Sequence, residues 1–260
     1  MTADPKELFD VSGRVALVTG GTRGIGLDMA RALAANGATV IVSSRKADAV
    51  EAAVSELSQL GTAHGLAADL GTREGIEALS AYVRERTDRL DVLVNNAGAT
   101  WGASLEEFPE EGWDKVVDLN VKSPFFLTQA MLPLLKAGAG QRPAKIVNIA
   151  SVEGMRAGAM ETYSYGVSKA GLLHLTEHLA LQLAPRNITV NAIAPGPFAT
   201  KMMKGTIQAV GEDAVAGLVP LKRLGQPEDV YALTLMLCSS GSDYMTGSTI
   251  PLGGGLGPIA

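Results

Sequence analysis

The sequence predicts an α/β protein built on a doubly wound parallel sheet, and three observations carry that expectation. Short apolar runs rich in β-branched residues alternate along the whole chain with helix-length amphipathic segments, the pattern of repeated βαβ units. The runs are apolar at nearly every position and not at every second one, as strands are when helices cover both faces of their sheet. A glycine-rich turn separates the first run from the first helical segment, where an open α/β sheet holds an anionic ligand.

In chain order, strands are expected at Val15–Thr19, Thr39–Ser43, Thr62–Ala67, Asp91–Asn95, Lys145–Ala150, Ile188–Ile193 and Ser248–Pro251. Helical periodicity fills the intervals at Ile25–Ala35, Ala47–Gln59, Arg73–Arg86, Gly112–Lys136, Ser164–Leu183 and Glu228–Cys238. Joints such as Lys136–Gln141 and Gly253–Gly257 are short and rich in small residues, and the one long irregular stretch is Ala194–Leu224. With no internal repeat or low-complexity linker, and with 47% of 260 residues hydrophobic, one domain over residues 1–260 is expected.

Composition narrows the partners. A net charge of −5 and the absence of any Lys/Arg cluster argue against nucleic acid, whose phosphates need a basic face. Met1–Gly13 lacks the basic start and apolar core of a signal peptide, and no apolar run reaches membrane-spanning length. A soluble, cytoplasmic protein without a membrane partner is therefore expected. Its single cysteine, Cys238, lies in the apolar stretch Tyr231–Cys238 and reads as a buried structural thiol.

The first βα junction runs Thr19-Gly20-Gly21-Thr22-Arg23-Gly24-Ile25-Gly26. Glycines permit a tight turn and close backbone approach, while free N–H groups at the helix start attract a phosphate, so Gly20, Thr22, Arg23, Gly24, Ile25 and Gly26 are candidate dinucleotide contacts. Cofactor choice is read after the second strand. An acid there grips the 2′-hydroxyl of NAD, but this chain has Ser44 and Arg45, with Arg23 in the turn itself. Two guanidinium groups suit a 2′-phosphate, and NADP(H) is expected in preference to NAD(H).

Tyr165 and Lys169 stand four residues apart at the start of a helical pattern and so share a face. An ammonium beside a phenol favours the phenolate, which predicts a lowered Tyr165 pKa and a proton donor and acceptor for alcohol/ketone chemistry.

Thr19–Gly26, Asn95-Asn96-Ala97-Gly98, Asn120, Ser151, Tyr165-x-x-x-Lys169 and Pro195-Gly196 together resemble the short-chain dehydrogenase/reductases over essentially the whole chain. The resemblance implies a Rossmann-like sheet of seven parallel strands flanked by helices, assembled as a homotetramer or, less often, a dimer. It makes Tyr165 the general acid, Lys169 its tuning cation and a ligand of the nicotinamide ribose, Ser151 the donor to the substrate oxygen, and Asn120 the anchor of a proton-supplying water. A cap or turn role for Ser151 and a kink-satisfying role for Asn120 are the alternatives. It also places Asp69 and Leu70 at the adenine, Asn95, Ala97 and Gly98 along the adenosine and central ribose, and Pro195, Gly196, Phe198 and Thr200 over the nicotinamide. Tyr163 is disfavoured as the acid because Val167 occupies the position one turn on. The Ser151–Tyr165 separation is one residue longer than is common in the family, which lengthens the Val152–Met160 loop and keeps Ser164 as a weaker alternative to Ser151.

His174-Leu175-Thr176-Glu177-His178 matches a zinc-helix pattern, but its leucine-rich flanks read as core or interface, and no metal is expected. The substrate lid is expected at Ala194–Leu224, with Met202, Met203, Ile207, Val210, Val215, Leu218 and Val219 forming an adaptable apolar inner surface. Thr100-Trp101-Gly102-Ala103, the Gly112-Trp113 pair and the longer Ser-to-Tyr loop are similar to 3-oxoacyl reductases of the rhamnolipid-type subgroup. Reduction of a 3-oxoacyl thioester to the 3-hydroxyacyl form is the leading expectation. A sugar-acid, polyol, steroid or other secondary-alcohol dehydrogenase, and a non-catalytic NADP(H) sensor or scaffold, stay open beside it.

Overall fold

The computed structural model describes residues 5–140, 142–200 and 203–257, so Gln141 and Met202 lie outside the described residues. Seven strands, β1 (Val15–Thr19), β2 (Thr39–Ser44), β3 (Ala63–Ala67), β4 (Val92–Asn95), β5 (Ala144–Ile149), β6 (Ile188–Pro195) and β7 (Thr249–Leu252), form one sheet in the order β3-β2-β1-β4-β5-β6-β7. Every neighbouring pair is parallel. The chain winds outward from β1 to β3, then returns to the other side of β1 with β4. That reversal opens a crevice beyond the carboxyl ends of β1 and β4, the usual ligand position in such sheets.

Helices α1 (Gly24–Ala35), α2 (Ala47–Leu57) and α9 (Pro227–Cys238) contribute to the core on one face, and α3 (Arg73–Arg84), α5 (Ser123–Gly138) and α6 (Tyr163–Leu183) to the core on the other. Strand alternation feeds both layers: Ala16 and Val18 of β1 join the first core and Leu17 the second. Each buried Leu or Val contributes roughly 1.5–3 kcal/mol. Cys238 is sealed in the first core, where burial pushes its thiol up to about 12; it is the structural thiol that its surroundings in the sequence imply.

Two expected segments differ. The helix anticipated over Gly112–Lys136 is divided into α4 (Glu110–Val117), a π turn at Asp118–Lys122, and α5. Pro124 has no N–H to offer the Asn120 carbonyl four residues back, so the regular ladder is interrupted there. The stretch Ala194–Leu224 is not irregular throughout: β6 continues to Pro195, and two short helices follow, α7 (Lys204–Val210) and α8 (Glu212–Leu218), joined at Gly211 with φ +89°. Val215 and Val219 are buried there, but Val210 and Leu218 are 57% and 76% exposed. These two face outward, because a short helix can turn only part of its circumference towards the body of the protein.

Candidate active site

The glycine turn is braced from the neighbouring strand. Thr19, ending β1, accepts the N–H groups of Asn96 and Ala97 on its hydroxyl at 3.0 Å each and donates to the Val94 carbonyl at 3.2 Å. The Asn96 amide donates to the carbonyls of Thr19 and Gly20 at 2.9 and 3.2 Å. A methyl at Gly26 would overlap that amide and stand 2.5 Å from the Gly20 carbonyl oxygen. Glycine at 26 is thus required by protein packing. Asn96 was not among the expected site residues; the signal was the Asn95-Asn96 doublet, which supplies one amide to each side of the strand end.

Gly20 and Gly24 have φ +63° and +50°, and a methyl at Gly24 would lie 3.1 Å from Thr200 Cγ2. The segment after β6 therefore closes over the turn. Thr22 and Ile25 are half-buried, and Ile25 packs on the first core. Pro195 ends β6, and the Gly196 N–H donates to the Leu252 carbonyl at 3.0 Å. The ring of Phe198 is buried against Gly225, leaving Phe198 its backbone to present.

At the other end of the crevice, Ser44 closes β2 and the exposed Arg23 and Arg45 enter no ion pair among the described residues. Two uncommitted guanidinium groups beside a glycine turn at a helix start fit a phosphorylated dinucleotide. Asp69 is exposed and accepts the Gly71 N–H at 3.0 Å, whereas the Leu70 side chain belongs to the second core. Asn95 departs from expectation. Its amide is buried and donates to Asn148 Oδ1 at 2.8 Å, so strand parity turns it into the sheet core and away from the crevice. Ala97 and Gly98, partly exposed, take that edge.

Beside Gly98 the reactive residues converge: a methyl built there would be 3.2 Å from Asn120 Oδ1 and 3.6 Å from Lys169 Nζ. Tyr165 and Lys169 share the first turns of α6, with Lys169 Nζ 5.6 Å from the Tyr165 ring centre and donating to the Ile149 carbonyl at 2.7 Å. Ser151 follows β5 and caps the 3-10 turn Val152–Gly154, accepting the Glu153 N–H at 3.1 Å. That turn presses directly on α6, since a methyl at Gly154 would stand 2.6 Å from the backbone carbon of Lys169. The cap role and the position beside Tyr165 are both realised in Ser151. Ser164 is sealed inside α6 and is no substitute.

The Asn120 amide donates to the Ala99 carbonyl and to Ser168 Oγ, both at 2.9 Å, and accepts the Ala99 N–H at 2.8 Å. Its side chain ties the π turn to α6 and to the loop after β4. Deeper in, Asn148 donates to Thr176 Oγ1 at 2.9 Å, and Thr176 donates to the Leu172 carbonyl at 2.8 Å.

The expected lowering of the Tyr165 pKa is reversed. Burial pushes the phenol up to about 12; the Ser151 hydroxyl opposes this, and the charge of Glu153 adds to it. Burial also pulls Lys169 down to about 8. The ammonium bonds to a backbone carbonyl, so the protein's own groups hold Tyr165 as a neutral phenol, the form that can give a proton away.

Tyr163 is exposed at the start of α6, its ring edge-on to Phe108 at 5.7 Å, which in turn meets Trp113 at 6.4 Å. Trp101 packs against Gly112, where a methyl would be 2.7 Å from its ring. His174 and His178 are exposed, and among the described residues no group of three metal-binding side chains exists.

Taken together, the reversed sheet, the braced glycine turn and the Ser-Tyr-Lys cluster define a nucleotide-dependent oxidoreductase fold, and the chain belongs to the short-chain dehydrogenase/reductase family. A family model described as enoyl-(acyl carrier protein) reductase matches residues 20–257. The chain is 43% identical over 251 residues, 95% of its length and 97% of the relative's, to the rhamnolipids biosynthesis 3-oxoacyl-[acyl-carrier-protein] reductase of Pseudomonas aeruginosa. It superposes with TM-score 0.93 and 42% identity on a P. aeruginosa RhlG/NADP active-site complex, covering 96% of this chain and 98% of that one. A structure from Beutenbergia cavernae described as a candidate NAD(P)-dependent gluconate 5-dehydrogenase is similar at TM-score 0.89 and 30% identity, with coverage of 96% and 98%. The protein is an oxidoreductase acting on CH–OH groups and their ketones.

Proposed function

We propose that this single domain is an NADPH-dependent reductase of 3-oxoacyl thioesters, with residues 194–224 as its substrate lid. The observation that carries the chemistry is that Lys169 stands beside Gly98 and next to the Tyr165 ring, with the Ser151 hydroxyl on the Tyr165 phenol. The 43% identity to a 3-oxoacyl-[acyl-carrier-protein] reductase and the partly exposed aromatic cluster of Phe108, Trp113 and Tyr163 support an acyl substrate.

In this reading Gly20, Thr22, Gly24, Ile25 and Gly26 hold the pyrophosphate, Asp69 and Leu70 border the adenine, and Ala97 and Gly98 border the ribose. Arg23, Ser44 and Arg45 hold the 2′-phosphate. Pro195, Gly196, Phe198 and Thr200 cover the nicotinamide, which supplies hydride when bound. Ser151 donates to the substrate oxygen and holds the carbonyl against Tyr165. Tyr165 gives its phenolic proton to the forming alkoxide, and Lys169 stabilises the phenolate left behind. Asn120 keeps the π turn and its neighbouring carbonyls in place for the water that returns a proton.

The chain works in the cytoplasm as a homotetramer or dimer; the assembly is supported by Phe125 and Phe126 on α5 and Val167 and Leu181 on α6, which are 39%, 43%, 55% and 75% exposed. Among the described residues no helix is long and apolar enough to cross a membrane.

The test is cofactor oxidation with 3-oxoacyl thioesters of graded chain length, NADPH beside NADH, and 2-enoyl thioesters as the control. Turnover of the 3-oxo series with NADPH and none of the enoyl series is expected; no rate with any 3-oxoacyl thioester overturns the proposal. Arg45→Ala is expected to raise the KM for NADPH about tenfold, as loss of one charged hydrogen-bond donor does, while the KM for NADH stays unchanged.

A further inference from the structure

The loop between Ser151 and Tyr165 is closed on itself by one side chain. The Glu153 N–H holds Ser151 Oγ at 3.1 Å, and the Glu153 carboxylate accepts from Thr162 Oγ1 at 3.3 Å. The Thr162 carbonyl in turn accepts the N–H groups of Tyr165 and Gly166 at 3.0 and 3.1 Å, at the first turn of α6. Glu153 therefore joins the turn that carries Ser151 to the turn that carries Tyr165. Gly158 folds over it, with a built methyl 3.4 Å from the carboxyl carbon. The segment after β4 is tied to the same loop by Ala103 N–H to the Glu161 carbonyl at 3.2 Å.

We propose that Glu153 is a positioning and selectivity residue, latching the Ser151–Tyr165 loop through Thr162 and turning away ketones that carry a free carboxylate near the reacting carbon. The proposal rests on Ser151 and Tyr165 being the reacting pair. The carboxylate is half-buried and has no ion-pair partner among the described residues; Lys169 is committed to Ile149, and Arg156 of the same loop is exposed and unpaired in that set. Its carboxylate is bonded to Thr162 Oγ1 at 3.3 Å, one residue before the helix turn that carries Tyr165, and its charge adds to the upward push on the Tyr165 phenol. A second carboxylate bound beside it meets an uncompensated like charge in a partly desolvated site, whereas a neutral ester or thioester does not. Acids whose carboxylate lies near the reacting carbon are thereby disfavoured and 3-oxoacyl thioesters admitted.

The experiment compares kcat/KM at pH 8 for a 3-oxoacyl methyl ester and its free acid, or for the equivalent pair of whichever ketone the wild-type protein reduces. Glu153→Gln keeps an acceptor for Thr162 and loses the charge. It is expected to shrink the ester-over-acid preference about tenfold, as removal of one like charge at short range does. Thr162→Val is expected to lower kcat for the ester while leaving the preference intact, and Thr162→Ser to restore kcat. An unchanged preference in Glu153→Gln overturns the selectivity role, and a wild-type kcat in Thr162→Val overturns the latch. Absence of turnover by the wild-type protein on every pair overturns both this proposal and the catalytic reading beneath it.

Discussion

Tyr165→Phe is expected to cut ketone reduction by about a thousandfold or more, the scale of losing a positioned general acid, while NADPH binding followed by fluorescence titration stays close to wild type. The phenol is held near 12, so the donor form is fully populated across the neutral range and the wild-type reduction rate draws no inflection from Tyr165. Alcohol oxidation needs the phenolate, and its rate is expected to rise with pH through neutrality. Comparable turnover in the Phe variant would refute the assignment.

Lys169→Met is expected to remove most of the activity, by about a hundredfold or more, without unfolding the protein. The folded pKa of about 8 against 10.5 means that the unfolded chain binds this proton more tightly. The cost of burying the ammonium, about 3 kcal/mol, is thus fully present below pH 8 and is relieved as pH rises from about 8 to 10.5. Methionine removes that cost but strands the Ile149 carbonyl, worth about 1–3 kcal/mol. Melting temperatures at pH 7 should therefore agree within a few degrees, and the wild-type gain in stability above pH 8 should be absent from the variant. A variant with wild-type kcat, or one that fails to fold at pH 7, contradicts this account.

The strands were legible because β5 and β6 are buried along their whole length, which favours apolar, β-branched residues at most positions. The glycine turn was legible because its backbone demands leave no other residue type. What the sequence hid depends on contacts between distant elements. Asn95 and Asn96 look alike in sequence, and only strand parity decides which amide enters the core and which braces Gly20. The sign of the Tyr165 shift could not be read from a four-residue spacing, because burial and the direction of the Lys169 ammonium are properties of the packed site. Pro124 did carry the signal for the π turn, four residues after Asn120, but periodicity alone joined the two helices. Lys145, sealed by Asp243 at 2.7 Å, looked like the polar start of a strand.

The buried chain from Asn95 through Asn148 and Thr176 to the Leu172 carbonyl works as a keyed joint. Apolar packing alone would let α6 rotate or slide by small steps, whereas these directional bonds admit one azimuth and one depth for the helix that carries Tyr165 and Lys169. The helices at 204–218 hang from other attachments, Arg223 on Asp229 and Phe198 against Gly225. With residues 194–224 as the lid proposed above, the elements that hold the chemistry and those that meet the substrate are attached separately. A graft that replaces residues 203–219 while keeping Asn95, Asn148 and Thr176 is expected to alter what is reduced and to leave how it is reduced untouched.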